Sequence, residues 1–284
     1  IEFEAQYDVI RKKNWNWSVG FNLSHNKNML RKTYNGEDLN DKVLGRPVYG
    51  IYTFKDEGIV QKEEDIPMYP NASGKQIPLY FQSINNPLRV GGRKIKDQNY
   101  DGVIDDKDLY YAGSTLPAVY GGLNSHLEWK GLSFDVLFSY TISRKVMNMY
   151  KNSAFTFTKD FGVIMNYFHA NDFWTPDNRG AKYPSLEFAD KDYIGQFDGN
   201  VDSNIENISF LRLKQLVIGY QFPKTWLKGT FIKDANIYLS GENLFLITNY
   251  SGVDPEVINP YTGKDDGTQY PLNRKVTLGL NLKS

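Results

Sequence analysis

The chain has no cysteine, so neither a disulfide nor a thiolate zinc site can organise it. Histidine is scarce as well. His25, His126 and His169 lie far apart and at no metal-ligand spacing, which argues against a His-centred catalytic or zinc site. No charge of one sign dominates: 33 Lys plus Arg balance 33 Asp plus Glu, so the basic field that a nucleic-acid partner requires is missing. No apolar run approaches the ~20 residues of a membrane-spanning helix. No signal-peptide pattern opens the chain, and Ile1 already lies inside what reads as a strand. That start leads us to expect the C-terminal part of something longer.

What is abundant is aromatic and alternating. Residues 1–9 place Ile1, Phe3, Ala5, Tyr7 and Val9 on one face and Glu2, Glu4, Gln6 and Asp8 on the other, the period-two signature of a half-buried strand. Residues 15–25 repeat the pattern with Trp15, Trp17, Val19, Phe21 and Leu23, forming a hairpin with the first strand. Alternation returns at 118–128 and 132–140, on either side of the tight turn Trp129-Lys130-Gly131. Only Leu137 breaks the polar face there. Further strands are expected at 210–222, 235–246 and 273–283. The stretches 26–116, 142–208 and 247–270 read as long connections, the first irregular and abnormal in length for a compact soluble domain. Short and long connections thus alternate. Transmembrane β-barrels have short periplasmic turns, long outer loops and strands of about 9–11 residues, apolar toward lipid and polar toward the lumen. Trp15, Trp17, Trp129, Tyr140, Tyr220 and Phe222 fall at strand ends, where an aromatic girdle would sit. A soluble sandwich explains the alternation equally well. It does not explain the long alternate loops or the polar faces of Asn, Ser, Thr and Gly. The fold expected is therefore all-β, an antiparallel transmembrane β-barrel.

The sharpest chemical motif is the run from Asp97 to Asp108, DQNYDGVIDDKD. Asp97, Asn99, Asp101, Asp105 and Asp108 occupy positions 1, 3, 5, 9 and 12 of an EF-hand-type loop. Gly102 sits at the sharp turn, Val103 offers a backbone carbonyl at position 7, and Ile104 is the apolar anchor. Hard oxygen donors at this spacing suit Ca²⁺, with Mg²⁺ as the alternative. Asp108 stands where that pattern has Glu and reaches less far. No helices flank the loop, so a static task is expected: tying down the end of a long loop that lacks a hydrophobic core.

Several stretches together resemble the C-terminal barrel of SusC/RagA-type TonB-dependent outer-membrane transporters of Bacteroidetes. They are DQNYDGVIDDKD with the following YYAGSTLPAVYGGLNSHLEWKGLSFDVLFSY, WTPDN (174–178), ISFLRLKQLVIGYQFPKTWL (208–227), NIYLSGENLFLITNYSGVDPEV (236–257) and the closing YPLNRKVTLGLNL (270–282). The opening hairpin and LGRPVYGIYTFKDEGIVQ (44–61) fit as well, so the resemblance covers essentially the whole chain. It implies that residues 1–284 are the last seven or so strands of a barrel of about 22, without the plug domain and earlier strands. It further implies import of an oligosaccharide or peptide through the outer membrane. The implied partners are TonB, reached through the missing N-terminal part, a SusD-like surface lipoprotein, the remainder of the same barrel, and lipid. The C-terminus departs from the pattern, since the family usually ends on an aromatic residue and this chain ends Leu282-Lys283-Ser284.

Import needs no covalent chemistry, and no nucleophile motif or supporting His argues for an enzyme. Substrate contacts are expected from aromatics on the long loops, with Phe155, Phe157, Tyr167, Phe173 and Trp174 as candidates; ordinary loop packing explains each of them too. The competing reading is a soluble Ca²⁺-stabilised β-domain that binds carbohydrate.

Overall fold

The computed structural model describes residues 1–38, 42–149, 169–189, 195 and 199–284. Seven long strands form its framework: β1 (Glu2–Lys12), β2 (Trp15–Ser24), β3 (Val119–Trp129), β4 (Leu132–Asn148), β5 (Ile205–Gln221), β6 (Asp234–Glu242) and β7 (Lys275–Lys283). Each pairs antiparallel with its neighbours in chain order, giving a meander with β1 and β7 at its edges.

Register explains why these residues make one sheet. Ile10, Trp17, Leu127, Phe134, Ile218, Leu239 and Leu278 stand opposite one another in a single row across all seven strands. A parallel row runs through Trp15, Trp129, Leu132, Tyr220, Ile237 and Leu280. Offset by one residue, the other face carries Asp8, Ser18, His126, Asp135, Val217, Ser240 and Thr277. Leu137 lies on this polar face, the exception expected from its position. The apolar face carries no second layer among the described residues: Val276 and Leu278 remain 68% and 71% exposed. At the short-turn end the Trp15 and Trp129 rings meet at 6.0 Å and those of Tyr220 and Phe222 at 5.5 Å, the expected aromatic band. Tyr140 belongs to the opposite end, stacked on Phe21.

Three sequence expectations require correction. β4 and β5 run 17 residues each, well past the expected 132–140 and 210–222. Beyond the barrel wall they continue as a ribbon, joined at its tip by Lys264–Asp265 parallel to β4 and covered by Tyr250 and Ile258 packing on Val146 and Ile208, so burial rather than alternation sustains them. The expected strand 235–246 stops at Glu242, because Asn243 turns into a left-handed conformation (φ 52°). The chain then re-pairs with β5 through Leu246–Thr248. Finally, 26–116 is not irregular and does not lack a core. It folds into short ladders, Gly50–Thr53 with Tyr110–Ser114, Asp56–Ile59 with Arg93–Ile95, and Met68–Pro70 with Gln76–Pro78. These enclose Val60, Leu79, Phe81, Leu88, Ile95 and Ile104 together with Val201 from a different connection. Segments of two to five residues are too short to show a period.

The two faces predict opposite tolerances. In the full-length barrel, Val136→Arg on the apolar face should lower folding stability by about 2–4 kcal/mol, while Thr277→Lys on the polar face should cost less than about 1 kcal/mol. Urea unfolding from lipid vesicles measures both; equal losses would remove the face assignment.

Candidate functional site

Two regions gather chemistry at the long-loop end of the sheet. The first is the Asp97–Asp108 loop. Tyr100 and Gly102 adopt φ of 61° and 83°, which bends the chain tightly enough for both amides to donate to the Asp97 carboxylate, at 2.7 and 2.8 Å. Glycine is needed at 102 for a second reason: a Cβ there would stand 2.9 Å from the Tyr69 ring. Each later acidic or amide position captures an amide two residues on. Asn99 accepts from Asp101, Asp101 from Val103 and Asp105 from Lys107. Asp108 is fully buried and closes the loop by accepting from Gln98 and Asp105. Burial pushes its carboxyl above the usual carboxylate range, against these backbone N–H donors. The anchor Ile104 is buried in the loop core, so the loop sits against an existing core instead of standing in for one.

The donor chemistry of this loop fits a hard divalent cation. Its own side chains already attract a positive charge there: the Lys107 ammonium lies 3.8 Å from Asp101 and 3.5 Å from Asp105. Among the described residues no three His, Asp or Glu side chains converge with metal-ligand geometry, and the Asp97 and Asp108 carboxylates are turned onto backbone N–H groups of the loop. Tyr69, which the sequence did not single out, hydrogen-bonds Asp97; burial, then that carboxylate, push its hydroxyl up to about 12.

An ion-pair clamp fixes this loop module to the next connection. Asp56 pairs with Arg93, both nearly buried, and accepts from the Ser203 hydroxyl at 2.6 Å. Asp202 accepts from Lys55 at 2.6 Å, from Tyr110 at 2.7 Å and from the Asp56 amide at 2.9 Å. Burial raises the Asp202 carboxyl, but Lys55, the Asp56 amide and Tyr110 outweigh it and hold the group below the usual range.

The second region is a cleft of about 350 Å³ on the polar face, just under the loops. Tyr120, Thr141 and Phe210 stand in one cross-strand row and form its floor. Asn26, Leu116, Glu256 and Pro260 form its walls. Arg144 staples those walls together: buried, it donates to the carbonyls of Thr115 (3.0 Å), Pro255 (3.4 Å) and Ile258 (3.4 Å). Arg212 pairs with Asp254 at 2.5 Å and with Glu256, which also meets Lys214 at 2.8 Å. No motif announces this cleft, because its residues are scattered from 26 to 260.

The aromatics named from sequence fare differently. Phe155, Phe157 and Tyr167 lie outside the described residues. Phe173 and Trp174 are buried: Phe173 packs on Tyr183 with ring centroids 5.8 Å apart, and the Trp174 indole donates to Gln61 at 2.9 Å.

A two-faced meander with short turns at one end and a loop-roofed cleft at the other defines part of the wall of a large antiparallel β-barrel. The comparisons agree. The chain is 29% identical to TonB-dependent receptor P26 of Formosa agariphila, over 99% of this chain and 28% of that protein. It is 25% identical to TonB-dependent receptor SusC of Bacteroides thetaiotaomicron, over 100% of this chain and 26% of that protein. In fold it is similar to the structure of the RagAB peptide transporter, with a TM-score of 0.67 and 22% identity over 99% of this chain and 28% of that one. No family model matches it. The chain is thus related along its whole length to TonB-dependent receptors of the SusC type, and it spans just over a quarter of the length of the curated relatives it matches. Those relatives are receptors and transporters, not enzymes.

The clamp has a pH signature. Because the Asp202 carboxyl is lowered in the fold, its contribution is complete above the ordinary carboxylate value of 3.8 and is lost as the pH falls through the lower native value. Hydrogen exchange of the full-length protein, corrected for intrinsic rates, should show the Phe54 and Asp202 amides protected at about pH 5 and released in that acidic window. Asp202→Asn should release them already at neutral pH. Unchanged protection in the variant would show that the clamp is dispensable.

Proposed function

We propose that the chain is the C-terminal barrel portion of an outer-membrane importer that takes up an oligosaccharide or peptide, coupled to TonB and capped by a SusD-like lipoprotein. The observation that carries this reading is the seven-strand sheet with one uncovered apolar face, in a chain related over its length to TonB-dependent receptors. An open sheet edge has no place in hydrocarbon, so β1 and β7 must pair with further strands of the same barrel. The apolar rows face lipid and the polar rows face the lumen. The long connections then point outward, where a lipoprotein lid and the substrate arrive, and the chain resides in the outer membrane.

Within this reading the cleft under the loops is a substrate contact. Tyr120, partly exposed, supplies an aromatic face and Asn26 an amide, groups suited to a sugar ring or a peptide backbone, while the Glu256 carboxylate is held by Arg212 and Lys214. Tyr120→Ala in the full-length protein should weaken substrate binding about fivefold, the scale of one aromatic contact, as read by calorimetry with the cognate substrate. Growth of a deletion strain on defined glycans against peptides selects the substrate class. A full-length protein that stays monodisperse without detergent would overturn the membrane reading in favour of a soluble carbohydrate-binding domain.

The Asp97–Asp108 loop is proposed to hold Ca²⁺ through Asp97, Asn99, Asp101, Asp105 and Asp108 and the Val103 carbonyl, once the Asp97 and Asp108 carboxylates exchange the backbone N–H groups they accept from for the ion. When bound, the ion adds a fixed positive charge to the acidic loop and ties it to the core beneath Ile104. At a hundredfold excess over its dissociation constant it would stabilise the loop by about 2.7 kcal/mol. Proteolysis within 97–108 should therefore slow when Ca²⁺ is added to chelator-treated protein, and Asp97→Asn with Asp101→Asn should abolish the difference. An equal cleavage rate with and without Ca²⁺ would refute the assignment.

A further inference from the structure

The short-turn end of the sheet carries an unneutralised basic rim beneath the aromatic band. Turn 13–14, turn 130–131 and the connection 222–233 are joined edge to edge, since Lys130 N donates to Asn14 O (3.2 Å) and Gln221 N to Gly131 O (2.8 Å). Lys12, Lys13 and Lys130 project from the first two, and Lys224, Lys228 and Lys233 from the third. All six are exposed, and none forms an ion pair among the described residues. The balanced net charge of the chain therefore conceals a local excess at one end.

Apolar surface accompanies this charge. Lys12 shares its cross-strand row with Trp15 and Trp129, on the apolar face, and the Lys130 ammonium lies 5.5 Å over the Trp129 ring. The 222–233 connection is longer than a barrel turn requires and leaves large aromatic surface in the open: Phe231 is 84% exposed, and Trp226 remains 65% exposed with one side of its ring against Phe222 (6.1 Å) and Tyr220 (6.4 Å). Its backbone is nonetheless ordered, with Thr230 capping Leu227 through both its amide (3.1 Å) and its hydroxyl (2.8 Å). An ordered lip that alternates lysine with exposed aromatics matches a bilayer interface, with rings at headgroup depth and ammonium groups among the phosphates.

We propose that this rim, centred on the 222–233 lip, binds anionic glycerophospholipid headgroups of the membrane leaflet at the short-turn side, and so selects the lipids around this sector of the barrel. The inference rests on the membrane-barrel reading, and its test separates the two. The full-length protein is reconstituted into vesicles that contain brominated phosphatidylglycerol or brominated phosphatidylcholine, and tryptophan quenching reports the relative association of each lipid. Phosphatidylglycerol should be preferred roughly tenfold, in a salt-sensitive manner, since each lysine near an anionic surface adds to the attraction. The triple substitution Lys224→Gln, Lys228→Gln, Lys233→Gln should erase most of that preference while leaving phosphatidylcholine quenching intact, which shows that the variant still inserts. Excess inorganic phosphate should not displace the lipid. Equal quenching by both lipids, or a preference unchanged in the triple variant, would overturn the proposal and leave the barrel standing. No quenching by either lipid would overturn the barrel reading itself.

Discussion

Antiparallel register is the constraint on which everything else in this chain depends. The side-chain period of a strand is two, so a slip of one residue between any pair would carry Asp8, His126 or Asp135 into the row that holds Trp17, Leu127 and Phe134. Because each inner strand pairs with two neighbours, an error at one seam would propagate to the next. The same pairing satisfies the backbone N–H and C=O groups internally, the condition for a strand to lie in hydrocarbon.

Above the wall a different principle takes over. The connections contribute a second structural level, with short ladders enclosing an apolar core and ionic staples joining segments distant in sequence. Asp56 with Arg93 and Arg212 with Asp254 are nearly dry pairs. Such pairs add little net stability compared with an apolar replacement, yet removing one partner strands a buried charge. They therefore define where the connections sit more than how strongly they are held. Arg144, which meets three carbonyls, does the same for the roof of the cleft.

The wall strands were legible because their signal is local and long: nine or more residues that alternate, bounded by turns. The acidic loop was legible for a related reason, since twelve contiguous residues carry its donor pattern. Tyr69 was not, because it reaches Asp97 from a ladder 28 positions earlier, and only packing over Gly102 brings it there. The loop core was missed because Leu79, Ile95 and Val201 come from separate short segments, each too brief for periodicity to register. The length of β4 and β5 was misjudged because their outer halves are held by tertiary cover on Val146 and Ile208, and alternation has no bearing on that cover.

By itself the sequence determined the class of the protein: strands of period two, alternate short and long connections, an acidic oxygen-rich loop, and neither cysteine nor clustered histidine to offer other chemistry. These are properties of neighbouring residues, and a linear reading captures them. The tertiary structure alone decided which distant residues share a place: Asn26, Tyr120, Phe210 and Glu256 around one cleft, and lysines from three turns along one rim. The physical reason is that strand pairing brings residues a hundred or more positions apart within contact distance, and no local pattern encodes which ones will meet.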